Sequence, residues 1–130
     1  MTEYRALLDA SRRELALYEE LVAVYGTLDA LLTDERGVAA RLEASHRASW
    51  LVAALAELEA ELRPARAAGD APANVVAVWA TSRAVAARAT AANRLLVARA
   101  TAVRDRLAPR PAPRGYAGGA SRGAALDARA

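Results

Sequence analysis

Between Glu3 and Leu32 the large apolar side chains fall on four neighbouring seven-residue repeats. Tyr4, Tyr18, Tyr25 and Leu32 make the first, Leu7, Leu21 and Leu28 the second, Leu8, Leu15 and Val22 the third, and Leu17, Val24 and Leu31 the fourth. This spacing predicts an α-helix over about residues 3–33, some 45 Å long at ~1.5 Å per residue. A face four heptad positions wide exceeds a two-stranded seam, so the helix should touch more than one neighbour. Thr33-Asp34-Glu35-Arg36-Gly37 then reads as a turn, with Thr33 or Asp34 placed to cap a second helix and the acids suited to its first turn. Gly37 interrupts an unbroken helix at a cost of only about 1 kcal/mol, so one helix of roughly sixty residues is the competing reading.

The second helix is predicted over about residues 35–63, where Leu51, Leu55, Leu58 and Leu62 form a stripe beside Glu57, Glu59 and Glu61. Val38, Leu42, Ser45 and Val52 fall on a different face, which implies either a change of contact partner or a bend near Ser45 to Ser49. Pro64 and the run from Ala67 to Pro72 read as a connector. A third helix follows over about residues 73–108, with Val75, Trp79, Ser82, Ala86 and Ala89 leading along one face to Leu96, Val103 and Leu107. Asn93, Leu96, Ala100, Val103 and Leu107 recur at spacings of three and four and share a face. From Ala84 to Ala92 only Val85 is large and apolar, so this helix should form readily and anchor weakly. Pro109, Pro111 and Pro113 end it, since each lacks an N–H and pushes its predecessor out of the α region. Residues 109–130, rich in Gly, Ala and Arg, bury too little apolar surface to offset their ordering entropy and are expected to form a disordered basic tail. The predicted architecture is all-α. It is an elongated antiparallel three-helix bundle, a long helical hairpin plus a third helix, in one domain over residues 1–108.

The chain has no Cys, which removes disulfides and thiolate metal sites. No segment approaches the ~18 apolar residues of a membrane span, and the start lacks a basic region followed by an apolar run, so a soluble cytoplasmic protein without membrane insertion is expected. All 18 basic residues are Arg and 37 of the 130 residues are Ala, a usage that points to GC-rich coding as much as to guanidinium chemistry. The net charge of +3 conceals a division. Residues 1–72 carry 8 Arg against 13 acids, residues 73–108 carry 6 Arg against one Asp, and the tail carries 4 Arg against one Asp. An acidic front and a basic third helix attract each other within one bundle. Nucleic-acid binding is the other reading of a basic helix and tail. Against it, Arg83, Arg88, Arg94, Arg99 and Arg104 sit five or six apart and no aromatic residues interleave for base stacking.

Candidate chemistry is sparse. His46, the one histidine, lies four residues before Trp50 with no Ser nucleophile and carboxylate arranged around it. Glu57, Glu59 and Glu61 are two apart, do not face one another on a helix, and read as a solvated face. No phosphate loop, metal-ligand spacing or dinucleotide fingerprint occurs, so neither an enzyme nor a cofactor is expected. Tyr4, Tyr18 and Tyr25 read as core-edge residues with wet hydroxyls, and Trp50 and Trp79 as core or interface anchors. Tyr116 has no core to join, and is either an idle tail residue or a docking point.

ELALYEELVAVYGTLDALL in the first helix, and AANRLLVARATAVRDRL followed by a short break and GYAGGASRG, resemble the FlgN-type flagellar export chaperones, small all-helical cytoplasmic proteins of flagellated bacteria. The resemblance is loose over most of the chain and closer over about thirty residues at the C-terminal end, where Asn93, Leu95, Leu96, Val103, Leu107 and Tyr116 fall on the family's pattern. The sequence departs from the family at Ala39, Ala40, Ala44 and His46, where a more acidic, lysine-bearing stretch is usual. The resemblance implies a chaperone that keeps hook–filament junction (hook-associated) proteins unassembled and brings them to the flagellar type III export gate. It implies client binding at Asn93, Leu96, Val103 and Leu107 and gate docking through Tyr116, in a monomer or weak homodimer. A self-associating coiled-coil scaffold is the alternative.

Overall fold

The computed structural model describes residues 2–108. Three helices follow one another, α1 (Thr2–Leu31), α2 (Val38–Ala68) and α3 (Ala73–Leu107). Helix α1 is the hub. Both α2 and α3 pack on it, and no Cα of α2 comes within 8 Å of a Cα of α3. The wide apolar face of α1 thus divides between two partners, as its four repeats predict. Helix α2 runs antiparallel to α1, as the pairings Glu20 with Arg47 and Glu14 with Arg66 show, and α3 returns parallel to it, as the pairings Tyr4 with Asn74, Ser11 with Trp79 and Asp29 with Arg99 show. Among the described residues no helix is long and apolar enough to cross a membrane.

The turn after α1 is closed by its own polar groups. Asp34 accepts from the Arg36 N–H at 2.9 Å, and the Arg41 guanidinium donates to the carbonyls of Leu31 and Asp34 at 2.9 and 2.8 Å. Those contacts satisfy carbonyls that the helix end leaves without partners. Asp34 is therefore spent on the turn and caps no helix. Helix α2 begins at Val38, later than its acids suggest, with Gly37 at the N-cap and no side-chain cap. Gly37 is buried there, and a Cβ would meet Leu31 Cδ2 at 3.1 Å. The other boundary also moves. Pro64 lies inside α2, which continues to Ala68 and ends at Gly69 in the left-handed region with φ 74°. Only the bond to the Ala60 carbonyl is lost to proline, and that stretch is exposed to water. Leu62 at 1% exposure and Arg66, which reaches back to α1, hold the last turn in place.

Leu51, Leu55, Leu58 and Leu62 are all buried. One cluster joins Leu21, Ala48, Leu51, Leu55 and Ala89, and a second joins Ala10, Leu58 and Leu62. Between α1 and α3 the core turns polar. Ser11 donates to the Leu7 carbonyl and accepts from Trp79 Nε1, both at 2.8 Å. Glu14, 2% exposed, pairs with Arg66 at 2.6 Å, and the Arg66 guanidinium lies over the Trp79 ring at 5.2 Å. Three helices meet in that one knot. The two tryptophans consequently differ. Trp79 is core, whereas Trp50 is half exposed under the Arg47 guanidinium at 4.4 Å.

Candidate functional site

Because α2 and α3 both pack on α1 with their backbones apart, an open groove runs between them with α1 as its floor. The floor is Tyr18, Leu21, Tyr25, Leu28 and Leu32. From Tyr18 to Leu32 it extends about 21 Å, or four helical turns. Hollows of about 330, 420 and 500 Å³ succeed one another along it and share Tyr25, Leu28, Val52, Asn93 and Leu96 as common walls. The α2 wall is Val38, Leu42, Ser45, Ser49, Val52 and Ala56, and the α3 wall is Ala86, Thr90, Asn93, Leu96, Val97 and Ala100. Most of these wall residues are small, which leaves room between the two helices for large side chains of another chain.

The second apolar face of α2 finds its explanation in this groove. Val38, Leu42, Ser45 and Val52 face the open side, while Leu51, Leu55, Leu58 and Leu62 face α1. Helix α2 is continuous through Ser45 to Ser49, and there no Cα of α2 lies within 8 Å of one in α3. The change of face therefore marks a surface without a partner among the described residues. Val38, Leu42 and Val52 are about half exposed, as is Val97 across the groove.

Asn93 and Leu96 stand in the middle of the α3 wall, Asn93 exposed and Leu96 half-buried. Val103 and Leu107 lie beyond the end of α1, in a hollow with Leu32, Thr33, Glu35, Arg41 and Arg106. Leu107 is 79% exposed, which fits a side chain with no helix beneath it. The four residues thus lie along one side of α3, on the groove and its continuation. Tyr116 lies outside the described residues. The sequence places Tyr18 and Tyr25 at the core edge but assigns no site to them or to the α2 wall, for which the stray face of Val38, Leu42, Ser45 and Val52 is the signal.

Electrostatics divide the groove along its length. At the end near Glu14, the hollow is lined by Tyr18, Glu59, Arg66, Ser82 and Arg83. Burial, then the carboxylates of Glu14 and Glu59, push the Tyr18 phenol above its ordinary 10.0 against the opposing charge of Arg66. Burial raises Tyr25 as well. The middle hollow has no charged lining residue. At the far end Arg41 is committed to the carbonyls of the turn. The arrangement offers no nucleophile with an attached base and is suited to holding an uncharged apolar surface. No protein-family model, curated protein or solved structure matches the chain.

Proposed function

We propose that the protein is a flagellar type III secretion chaperone, which binds hook–filament junction proteins, prevents their premature assembly and delivers them to the export gate. The observation that supports this best is the four-turn groove between α2 and α3, whose α3 wall carries Asn93 and Leu96 and continues to Val103 and Leu107. An amphipathic client helix laid there completes a fourth position of the bundle, in the helix-in-groove manner. The apolar walls would cover client surface that otherwise associates with its own kind. Beyond Ala89 no described residue of α3 is fully buried, so this wall can adjust to an incoming helix. Gate docking is assigned to Tyr116 by the resemblance alone.

The test is titration with the C-terminal segment of a hook–filament junction protein from the same genome. Wild type should form a saturable complex that moderate salt leaves intact, and Leu96→Asp should abolish it, with Val97→Asp, at a half-exposed position, as the variant less prone to misfold. Tyr116→Ala should spare client binding and weaken docking to the gate. Binding retained by Leu96→Asp, Val97→Asp and Leu107→Asp would remove the assigned face.

The exposed Val38, Leu42, Trp50 and Val52 on one half of α2 favour a second reading, a self-associating helical scaffold. Sedimentation separates the two. A tight oligomer that excludes the client segment would establish the scaffold.

A further inference from the structure

Along the groove the lining changes: toward the Glu14 end it is mixed and partly charged, with Glu59 and Thr90 beside Tyr18, and toward the far end it is mainly apolar. Toward the Glu14 end the floor is Tyr18 and Leu21, and toward the far end it is Leu28 and Leu32 facing Val97. Between them stand Tyr25, Ser45, Ser49 and Asn93 around one hollow of about 420 Å³. None of these four side chains makes a hydrogen bond among the described residues. Several polar neighbours along the groove are already engaged. Thr90 donates to the Ala86 carbonyl at 3.1 Å, Arg41 to two turn carbonyls, and Glu14 is held by Arg66. The middle of the groove therefore holds uncharged hydroxyl and amide groups without a partner among the described residues, while toward the Glu14 end the Tyr18 hydroxyl also makes no hydrogen bond and Ser82 Oγ is buried without a partner.

We propose that Asn93, facing Ser45 and Ser49 across the groove and with Tyr25 beneath, is a register lock that selects a helix carrying one amide side chain, Asn or Gln, next to an apolar turn that lies on Leu28, Leu32 and Val97. This rests on the helix-in-groove reading above and adds the partner's pattern to it. A docking helix strips water from the four groups, and a wholly apolar helix would leave them buried without partners. An amide both donates and accepts, and so answers Asn93 and the hydroxyls together. A charged side chain is disfavoured, because no opposite charge lines this hollow. A single polar residue at a helix interface fixes register: a slip toward the far end buries the amide against Leu28, Leu32 and Val97, and a slip the other way lays the apolar turn on the polar middle. Residues 109–130 of the chain itself are a poor occupant, since they carry 4 Arg and no opposite charge lines this hollow.

The experiment uses the full chain and the junction-protein segment, with each groove-facing position of the segment substituted in turn by Gln and by Leu. At one central position wild type should bind the Gln form about tenfold more tightly than the Leu form. Asn93→Leu, at an exposed site and with unchanged melting, should reverse that preference, and Asn93→Ala should abolish it. A segment that binds wild type with no such position, or with a preference that survives both substitutions, overturns the lock and leaves the groove standing. A segment that does not bind, or a tight dimer that excludes it, overturns the groove reading together with the lock.

Discussion

At the scale of single residues, the most demanding position is Ser11. It is fully buried and spends its donor on the Leu7 carbonyl and its acceptor on the Trp79 indole. Ser11→Ala leaves a buried indole N–H without a partner, which should cost about 1–3 kcal/mol in urea unfolding. Trp79→Phe in the Ser11→Ala background should cost less than the two single changes summed, because it removes the stranded donor. Additive losses would show that the bond contributes nothing beyond packing. Glu20 makes a prediction about acid. The hydrogen bond from Arg47, 2.8 Å at its second oxygen, holds the Glu20 carboxyl below its ordinary 4.5. A carboxyl lowered in the folded state stabilises it above the unfolded value and loses that contribution as pH falls through the folded value. The melting temperature of wild type should thus exceed that of Glu20→Gln near neutrality, and the gap should close on acidification below about pH 4.5. High salt should narrow the gap as well, since both partners are exposed. A gap that is constant from neutral to acid pH would mean that the pair does not couple to folding.

At the scale of elements, the three helices differ in how firmly they are held. Helix α3 buries Val75, Trp79, Ser82, Val85 and Ala89 against α1, and then no further residue is fully buried through Leu107. Its distal half is fastened by half-buried Leu96 and by Arg99, which pairs with Asp29 at 2.6 Å and leaves the other Asp29 oxygen buried without a partner. Hydrogen exchange should accordingly release the amides from Asn93 to Leu107 well before those from Val75 to Ala89. Equal protection along α3 would contradict the weak anchoring. Much of this was legible in sequence, because alanine between Ala84 and Ala92 gives propensity without burial. The Leu51, Leu55, Leu58 and Leu62 stripe was legible for the same periodic reason. The helix boundaries were not. Asp34 was expected as a cap and serves the turn, and Pro64 was expected as a stop and lies within α2. In both places tertiary contacts of Arg41 and Arg66 decide, and those contacts join residues of different elements.

At the scale of the whole molecule, the groove is a property of three helices together, which is why a one-dimensional pattern yields only its walls. Val38, Leu42, Ser45 and Val52 could be seen to leave the leucine stripe, but the side they turn to exists only once α3 lies on α1. The same architecture governs how the molecule can be dissected. Helices α2 and α3 lean chiefly on α1 and touch each other through Arg66 over Trp79, so each protects a different part of it. Removing α3 strips Trp79 from Ser11, exposes Glu14 and its pairing with Arg66, and uncovers the Leu21 cluster beside Ala89. It also removes the basic partner of an acidic front, since residues 1–72 carry 8 Arg against 13 acids. A fragment ending at Pro72 should therefore lose cooperative unfolding and most of its thermal stability, rather than persist as a folded hairpin without a binding site. Circular dichroism on heating decides this. If the fragment melts as sharply as the full chain, α3 is an appendage, and deletion becomes a clean test of where a client binds. If it does not, loss of binding on truncation reports only loss of the fold, and substitutions on the open walls, at Val97 and Asn93, are what can locate the site.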